Sequence, residues 1–202
     1  MGLELPSGLT LYFSRHGQTV ANVEHRFSGK KDTPLTALGR EQAAMVGRAL
    51  AHAVGKAPAL AFVASPLTRA RTTMEIALGE LGLAGHGYTV DPRLSEIDLG
   101  IWDQLTDAQA RALDPAIFDA RATDKWDVRV PGGENYADVA ARLGGFVAGL
   151  TADTFAVSHG ATTRILRGLL AGMGWQEMSA LDEPQGCVFR ARGREVVRLD
   201  VG

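Results

Sequence analysis

The amino-acid sequence predicts a three-layer α/β/α fold with a mostly parallel central sheet and a helical insertion over the C-terminal edge of the strands. The first observation is that short apolar runs alternate with segments of helical periodicity along the chain. The second is that this strand–helix order is typical of parallel sheets with helices on both faces. The third is the length of 202 residues with a hydrophobic share of 46%, which fits a single domain spanning 1–202.

Three strands and two helices are predicted in the first half of the chain. The run "LTLYF" is interpreted as a buried strand, and a polar loop follows it as far as "TPLTALG". From Thr36 onward the apolar residues fall at helical spacing, which predicts an amphipathic helix through Ala43, Val46, Leu50 and Val54. The run "ALAFVAS" is the second strand. The helical stretch "LTRARTTMEIALGELG" and a short third strand, "YTVDPRL", follow it.

The second half begins with a stretch of different character, from about residue 100 to 152. It holds two tryptophans, the turn "VPGGEN", short helical segments and one longer helix, "YADVAARLGGFVAGL". We interpret it as an insertion that lies over one end of the sheet and shapes the specificity of a site there. The fourth strand "TFAVS", the helix "TTRILRGLLAG" and a hairpin of "CVFRAR" and "EVVRLDV" complete the predicted fold.

The composition argues against several classes of partner. A net charge of −2 gives no overall attraction for nucleic acid or anionic membranes, so any anion site is local. No apolar run approaches membrane-spanning length, and the first residues lack the pattern of a secretory signal. The single cysteine, Cys187, fits a reducing compartment, so we expect a cytoplasmic protein. The sequence leaves the oligomeric state open between monomer and homodimer.

Chemically useful side chains follow the predicted strands at the point where each strand ends. They comprise two histidine–glycine pairs, arginines and one carboxylate: Arg15, His16, Gly17, Arg69, Arg71, Glu96, His159 and Gly160. Ligands bind beyond the carboxyl ends of parallel strands, so we expect these groups to meet at one edge of the sheet. Glycine at Gly17 and Gly160 would let the backbone turn sharply and bring main-chain N–H groups to a substrate.

These groups suit the chemistry of a phosphoryl group. Arginine pairs bidentately with phosphate oxygens, and a histidine nitrogen can attack phosphorus to form a phosphohistidine. A second histidine can donate to the phosphoryl oxygens as negative charge builds up on them. Glu96 is the nearest candidate acid for the departing ester oxygen, and a phosphate dianion beside it would keep it protonated.

The chain also carries a series of motifs in a fixed order between about residues 11 and 186: "RHGQTVAN", "FSG", "SPLTRARTT", "LSEIDLGIWD", "PGGEN" and "VSHG". Together they resemble the signature of the histidine phosphatase superfamily, the phosphoglycerate mutase-like proteins. The resemblance implies a metal-independent phosphomonoester hydrolase that acts on a small phosphorylated metabolite through a phosphohistidine.

The resemblance implies a role for each matching residue. His16 would be the phosphorylated nucleophile and Glu96 the proton donor. The phosphate pocket would be completed by charged and polar side chains: Arg15, Arg69, His159, Asn22 and Ser28. No metal or organic cofactor is implied.

The chain departs from the family pattern at three positions. Asp103 and Gln104 stand where the family often has glutamate and glycine, so we expect a different local turn. Asn135 stands where serine is usual. None of these positions carries the proposed chemistry, and we expect any effect to fall on the mouth of the substrate site.

Other readings of the same residues stay open at this point. A phosphoglycerate mutase would use the same phosphohistidine but exclude water, and a phosphoester-binding module would use the pocket without catalysis. His16, His159 and Glu96 also suit zinc, although nearby arginines would repel the cation. A further basic set could bind a second anionic group of the substrate: Arg26, Lys30, Lys31 and Arg129.

Overall fold

A computed structural model of the chain describes residues 2–56 and 58–200. Its centre is one six-stranded sheet in the order β3-β2-β4-β1-β5-β6. The strands are β1 (Thr10–Arg15), β2 (Ala61–Ala64), β3 (Thr89–Val90), β4 (Thr154–Ser158), β5 (Val188–Arg192) and β6 (Glu195–Leu199). The first four are parallel, and β5 and β6 add an antiparallel hairpin beside β1. This arrangement confirms the predicted α/β fold class.

Helices cover both faces of this sheet. They are α1 (Val20–Val23), α2 (Ala37–Val54), α3 (Thr68–Glu80), α4 (Asp107–Leu113), α5 (Pro115–Thr123), α6 (Tyr136–Ala148), α7 (Gly160–Ala171) and α8 (Trp175–Ala180). Apolar residues of α2 and α3 pack with Phe62, Phe155 and Val157 on one face. Those of α6 and α7 pack with Leu11 and Phe13 on the other.

The local sequence explains where the long helices begin. The Thr36 side chain accepts a hydrogen bond from the Gly39 N–H, so α2 begins where the periodicity predicted. Asn135 caps α6 in the same way through the N–H of Asp138. Thr106 and Gln109 form a capping box at the start of α4.

The third strand is shorter than the sequence predicted. Only Thr89 and Val90 pair with β2, whereas the prediction covered all of "YTVDPRL". Pro92 lacks an N–H and begins a 3₁₀ turn, Pro92–Leu94, which the Asp91 side chain caps. The strand therefore ends early, and the chain turns toward the segment that holds Glu96.

The stretch from 100 to 152 not only lies over the edge of the sheet, as the sequence predicted, but also forms part of a helical layer on one face. Its longest helix, α6, packs against α7 and belongs to the helical layer on one face. The shorter α4 and α5 are joined by Asp114, which ends one helix and caps the next. They carry residues that line the main cavity. The short helices α1 and α8 were not anticipated from the sequence.

Candidate active site

Two histidines lie side by side where strands β1 and β4 end. Arg15 pairs with Ser158 in the parallel register, so the next residue on each strand is a histidine. The N–H of His16 donates to the Ser158 carbonyl at 2.9 Å and extends the pairing by one residue. The ring centroids of His16 and His159 are 5.1 Å apart, with an interplanar angle of 64°. The sequence prediction that these two histidines meet is confirmed.

His16 presents one ring nitrogen without its own proton. Its Nδ1 lies 2.7 Å from the carbonyl oxygen of Gly17, and a carbonyl can only accept, so Nδ1 carries the proton. Nε2 of the neutral ring then keeps its lone pair. The His16 side chain is buried, and this burial together with Arg69 and Arg15 holds its pKa well below the ordinary value. The neutral, nucleophilic form is therefore favoured.

His159 is held from both sides of its ring. Arg69 Nε–H points at Nδ1 of His159 at 3.2 Å, so this nitrogen accepts and the ring proton lies on Nε2. Nε2–H then donates to Ser65 Oγ at 2.6 Å. Complete burial, followed by the charge of Arg69, holds the pKa of His159 well below its usual range. The ring is thus neutral and fixed in orientation.

The Arg69 side chain is buried, does not line the cavity and donates hydrogen bonds to several parts of the chain. All its N–H groups have protein acceptors: His159 Nδ1, Lys31 O, Asp32 Oδ1, Ser28 O and Gly29 O. These contacts satisfy each of the donors of a guanidinium. The arginine therefore joins the 28–32 loop to the histidine pair, and the phosphate contact that the family resemblance implies for it stays a prediction.

The loop that receives Arg69 is fixed by one of the positions that depart from the family pattern. Asp103 accepts the N–H of Gly29 and of Lys31, each at 2.9 Å. The next residue, Gln104, has a positive φ of 75°, a backbone conformation that glycine adopts with less strain. The turn thus keeps the geometry expected of glycine, with glutamine in its place.

Glu96 lies at the N-terminus of α7 beside the histidines. Its carboxyl group accepts the N–H groups of Ile97, Ala161 and Thr162 at 2.9–3.3 Å. Burial is the largest influence on its pKa and raises it, and the Glu183 carboxylate raises it further, against the lowering effect of the Ile97 N–H. Arg69 and Arg15 also act to lower the pKa, and the net shift is upward. The first N–H groups of α7 thus donate to Glu96.

Arg15 borders the same space and contacts a residue that the sequence did not single out. Its guanidinium donates to the Glu183 carbonyl at 2.6 Å and lies 3.8 Å from the Glu183 carboxylate. The same carboxylate pairs with Arg164 at 3.1 Å. Buried Nε of Arg15 has no acceptor among residues 2–56 and 58–200. The Nε–H group of Arg15 therefore has no protein partner within the described residues.

Asn22 and Ser28 both line the cavity, as their predicted roles require. Asn22 Oδ1 accepts from the Thr19 N–H and from Gln185 Nε2, which leaves its own Nδ2–H groups directed elsewhere. Ser28 Oγ makes only a long contact of 3.4 Å with the Lys31 carbonyl. Both side chains thus keep hydrogen-bonding capacity for a ligand.

The glycines that follow the histidines have packing roles. A Cβ on Gly17 would lie 2.0 Å from the carbonyl oxygen of Gly39, so glycine lets the loop after β1 touch α2. The Gly17 N–H donates to Thr73 Oγ1 and is not offered to a substrate, which corrects the sequence expectation. A Cβ on Gly160 would meet the Glu183 carboxylate at 2.5 Å, so this glycine makes room inside the site.

These side chains surround a cavity of about 480 Å³. The predicted site residues that line it are Arg15, His16, Asn22, Ser28 and Glu96. His159 and Arg69 are buried next to His16 and do not line it. Further lining residues were not predicted from the sequence: Arg121, Lys125, Tyr136, Arg164 and Glu183. Trp102 is buried and also lines the cavity, whereas Arg71 is exposed and contacts Tyr88.

Neither a metal-binding group of side chains nor a membrane-spanning helix occurs among the residues that the structure describes. Within 2–56 and 58–200, no three histidine, cysteine, aspartate or glutamate side chains are grouped so as to hold a metal ion, which argues against the zinc reading of His16, His159 and Glu96. Over the same residues, no helix is both long and apolar enough to cross a bilayer.

Known proteins resemble this chain in sequence and in fold. The chain is 43% identical over 143 residues to glucosyl-3-phosphoglycerate phosphatase of Mycobacterium tuberculosis, covering 70% of this chain and 60% of that protein. It is 40% identical over 136 residues to 2,3-bisphosphoglycerate-dependent phosphoglycerate mutase of Rhizobium rhizogenes, covering 66% and 63%. The chain thus spans about 60% of the length of the curated relatives it matches.

A solved structure extends the match over nearly the whole chain. The α-ribazole phosphatase of Shigella flexneri is 26% identical, with a TM-score of 0.80, and the alignment covers 96% of each chain. A family model, the histidine phosphatase superfamily (branch 1), matches residues 11–195, which include both histidines and Glu96. The resemblance noted in the motifs is confirmed, and the chain belongs to the histidine phosphatase superfamily, branch 1.

Proposed function

We propose that this protein is a metal-independent phosphatase that hydrolyses a small phosphorylated metabolite through a phosphohistidine at His16. The observation that carries the proposal is the state of the His16 ring. Its Nδ1 proton is held by the Gly17 carbonyl, and the ring stands at the cavity wall beside Arg15. An imidazole fixed in this tautomer is prepared for nucleophilic attack through Nε2.

The first chemical step forms the phosphoenzyme. The Nε2 lone pair of His16 attacks phosphorus, and the bond between phosphorus and the ester oxygen breaks. Glu96 gives its proton to the departing oxygen, so that an alcohol leaves and a carboxylate remains. The raised pKa of Glu96 supports this role because the group must be protonated before the step.

The second step releases phosphate. Glu96, now a carboxylate, takes a proton from a water molecule as the water oxygen attacks phosphorus. The bond between Nε2 and phosphorus breaks, and its electron pair returns to the ring. Each proton given in the first step is recovered in the second, so the enzyme ends as it began.

Positive charge and fixed donors surround the reacting group. Arg15 and Asn22 line the same cavity as His16, and the Arg15 Nε–H has no protein acceptor among the described residues. Arg69 holds His159 in place through Nδ1 and contributes a buried positive charge. Donors that are already oriented stabilise the charge that develops on the phosphoryl oxygens.

Hydrolysis is proposed rather than phosphoryl transfer between metabolites. The relatives named above include a phosphatase at 43% identity and a structural neighbour named as a phosphatase that aligns over 96% of the chain. A relative named as a phosphoglycerate mutase keeps the alternative in view. A small metabolite is proposed as the substrate because the cavity measures only about 480 Å³.

A panel assay tests this proposal. Free phosphate is measured across sugar phosphates, phosphoglycerates and nucleoside monophosphates, and interconversion of the phosphoglycerates is followed separately. We expect phosphate release that falls by about 10³-fold or more in His16→Ala. His52→Ala, at an exposed histidine of α2, is the matched control and should retain full activity. Rapid isomerisation with little free phosphate, or tight binding without any turnover, would contradict the proposal.

A further inference from the structure

The cavity contains a group of cations that the proposed phosphoryl chemistry does not use. Arg121 of α5 and Lys125, which follows α5, line the same cavity as His16. Arg164 of α7 lines it as well. These side chains come from the 100–152 stretch and from α7 rather than from the ends of the strands.

Arg121 is a buried charge without a carboxylate partner. Its relative exposure is 8%, and its Nε has no hydrogen-bond acceptor among residues 2–56 and 58–200. Within these described residues its guanidinium also forms no ion pair. It lies over the rings of Trp102 and Tyr136, with 5.9 and 6.0 Å between its central carbon and the ring centroids. A buried cation of this kind carries an uncompensated desolvation cost until an anion reaches it.

Lys125 and Arg164 strengthen the positive character of this region. Burial lowers the pKa of the Lys125 ammonium, and the charges of Arg164 and Arg121 lower it further, against the raising effect of the Glu183 and Asp107 carboxylates. Arg164 is partly neutralised by Glu183 and donates to the Tyr136 hydroxyl at 3.1 Å. Arg121 and Lys125 are therefore the cations that a ligand would neutralise first.

The basic residues singled out in the sequence do not provide this function. Arg26 lines the cavity, but its Nε pairs with Glu24 at 2.7 Å and its Nη1 donates to the Gln104 carbonyl at 2.9 Å. Lys30 pairs with Asp98 at 2.5 Å and Arg129 with Asp138 at 2.7 Å. Lys31 is exposed and does not line the cavity. The candidates for binding a second anionic group are therefore Arg121 of α5 and Lys125.

We infer that Arg121 and Lys125 form a second oxyanion subsite, so that the substrate is a phosphomonoester with an additional anionic group, such as a carboxylate. This inference rests on the proposed function for the position of the phosphoryl group at His16. The guanidinium of Arg121 lies within about 6 Å of the Trp102 and Tyr136 ring centroids and has no carboxylate partner among the described residues, and a guanidinium pairs well with a planar carboxylate. Phe118 also lines the cavity and offers an apolar surface for the carbon skeleton of such a substrate.

Two matched substrate pairs test the subsite at two lengths. One pair is 3-phosphoglycerate and glycerol 3-phosphate, and the other is 4-carboxyphenyl phosphate and 4-nitrophenyl phosphate. Each pair keeps the shape of the skeleton and differs in one negative charge. The measured quantity is the ratio of kcat/KM between the charged and the neutral member, so effects shared by both members cancel.

The wild type should prefer the charged member of at least one pair. Arg121→Gln should reduce this preference by roughly 10- to 100-fold, as expected for loss of a charge-assisted hydrogen bond. Lys125→Gln, at a half-exposed position, should reduce it in the same direction and tests the subsite if the buried substitution disturbs folding. Arg129→Gln removes an exposed cation of the same stretch and should not change it.

Binding measured without turnover separates this inference from the proposed function. Titration calorimetry on His16→Ala compares the affinity for both members of each pair, with and without Arg121→Gln. A charge preference that depends on Arg121 supports the subsite even if the wild type releases no phosphate from any ester. Equal preference in wild type, Arg121→Gln and Lys125→Gln overturns the subsite, even if phosphate release from every ester depends on His16.

Discussion

At the residue scale, His16 has to be neutral to attack phosphorus, whereas Glu96 has to be protonated to release the leaving group. Burial satisfies both requirements because it disfavours the charged form of each residue. It lowers the pKa of His16 and raises that of Glu96, so the two required states coexist over a range of pH. Arg15 and Arg69 lower the pKa of His16 further, and Glu183 raises that of Glu96.

Removal of the acid should separate substrates by the quality of their leaving group. In Glu96→Gln we expect kcat/KM for an alkyl phosphate to fall by about 10²- to 10⁴-fold, because an alkoxide needs a proton to depart. 4-Nitrophenyl phosphate should lose much less, since its phenolate leaves without one. Steady-state kinetics over a range of pH should also show the basic limb of the wild-type profile disappear in the variant.

The control for this measurement is Glu41→Gln, which removes an exposed carboxylate of α2 and should leave both substrates unaffected. The basic limb of the wild type reports the raised pKa of Glu96, so it should lie above the ordinary carboxyl value of about 4.5. Equal losses for the alkyl and the nitrophenyl ester would show that Glu96 is not the proton donor.

Individual residues also show what could be read from the sequence. His16, His159, Glu96 and Arg15 could be placed at one site because parallel strands bring their ends to one edge. The hydrogen bonds of Arg69 to the 28–32 loop could not be predicted from the sequence, because they depend on how the loop directs its carbonyl groups. The placement of cavity residues on α5 and after α8 depends on tertiary packing, and no local motif marks them.

At the scale of elements, loops and caps connect the sheet to the chemistry. Asp103 accepts hydrogen bonds from two N–H groups of the 28–32 loop, and carbonyl groups of this loop accept from Arg69. Arg69 in turn donates to His159 and orients its ring. Helix starts were predictable where a capping residue precedes a periodic segment, as at Thr36. The end of β3 could not be predicted, because the residues before Pro92 would suit a longer strand equally well. The loops therefore hold more of the functional geometry than the regular elements do.

The N-cap of α6 provides a stability test at this scale. Asn135 caps the helix through the Asp138 N–H, and its Nδ2 donates to the Asp127 carbonyl at 3.0 Å. Asn135→Ala should lower the free energy of unfolding by about 1–2 kcal/mol, because both contacts are lost. Asn135→Ser keeps the cap and should cost less. Chemical denaturation checks this order, and equal costs for the two substitutions would contradict it.

At the scale of the whole molecule, the site makes stability depend on pH. His16 and His159 are neutral in the folded protein, with pKa values well below the ordinary value of about 6.5. On unfolding below this pH they take up protons. Glu96 has a raised pKa and instead releases a proton on unfolding above about 4.5. The two histidines outweigh the single carboxyl, so the unfolded state binds more protons in this window.

The free energy of unfolding should therefore fall as the pH is lowered from about 6.5 toward 4.5, with a slope of about 1.4 kcal/mol per pH unit where Glu96 opposes the two histidines and at most about 2.7 kcal/mol where it does not. Glu96→Gln removes the opposing contribution and should steepen this slope. Denaturant titrations at a series of pH values in both proteins check the prediction. A profile that is flat in the wild type, or unchanged by the substitution, would contradict the assigned protonation states.

The central claim is that His16 Nε2 carries the phosphoryl group during turnover, and trapping this intermediate tests it most directly. The enzyme is mixed with a radiolabelled phosphomonoester, quenched in alkali and digested, and the labelled peptide is sequenced by mass spectrometry. We predict an acid-labile, alkali-stable label on His16 that is absent from His16→Ala. A label on His159, or full turnover by His16→Ala without a label, would contradict the account.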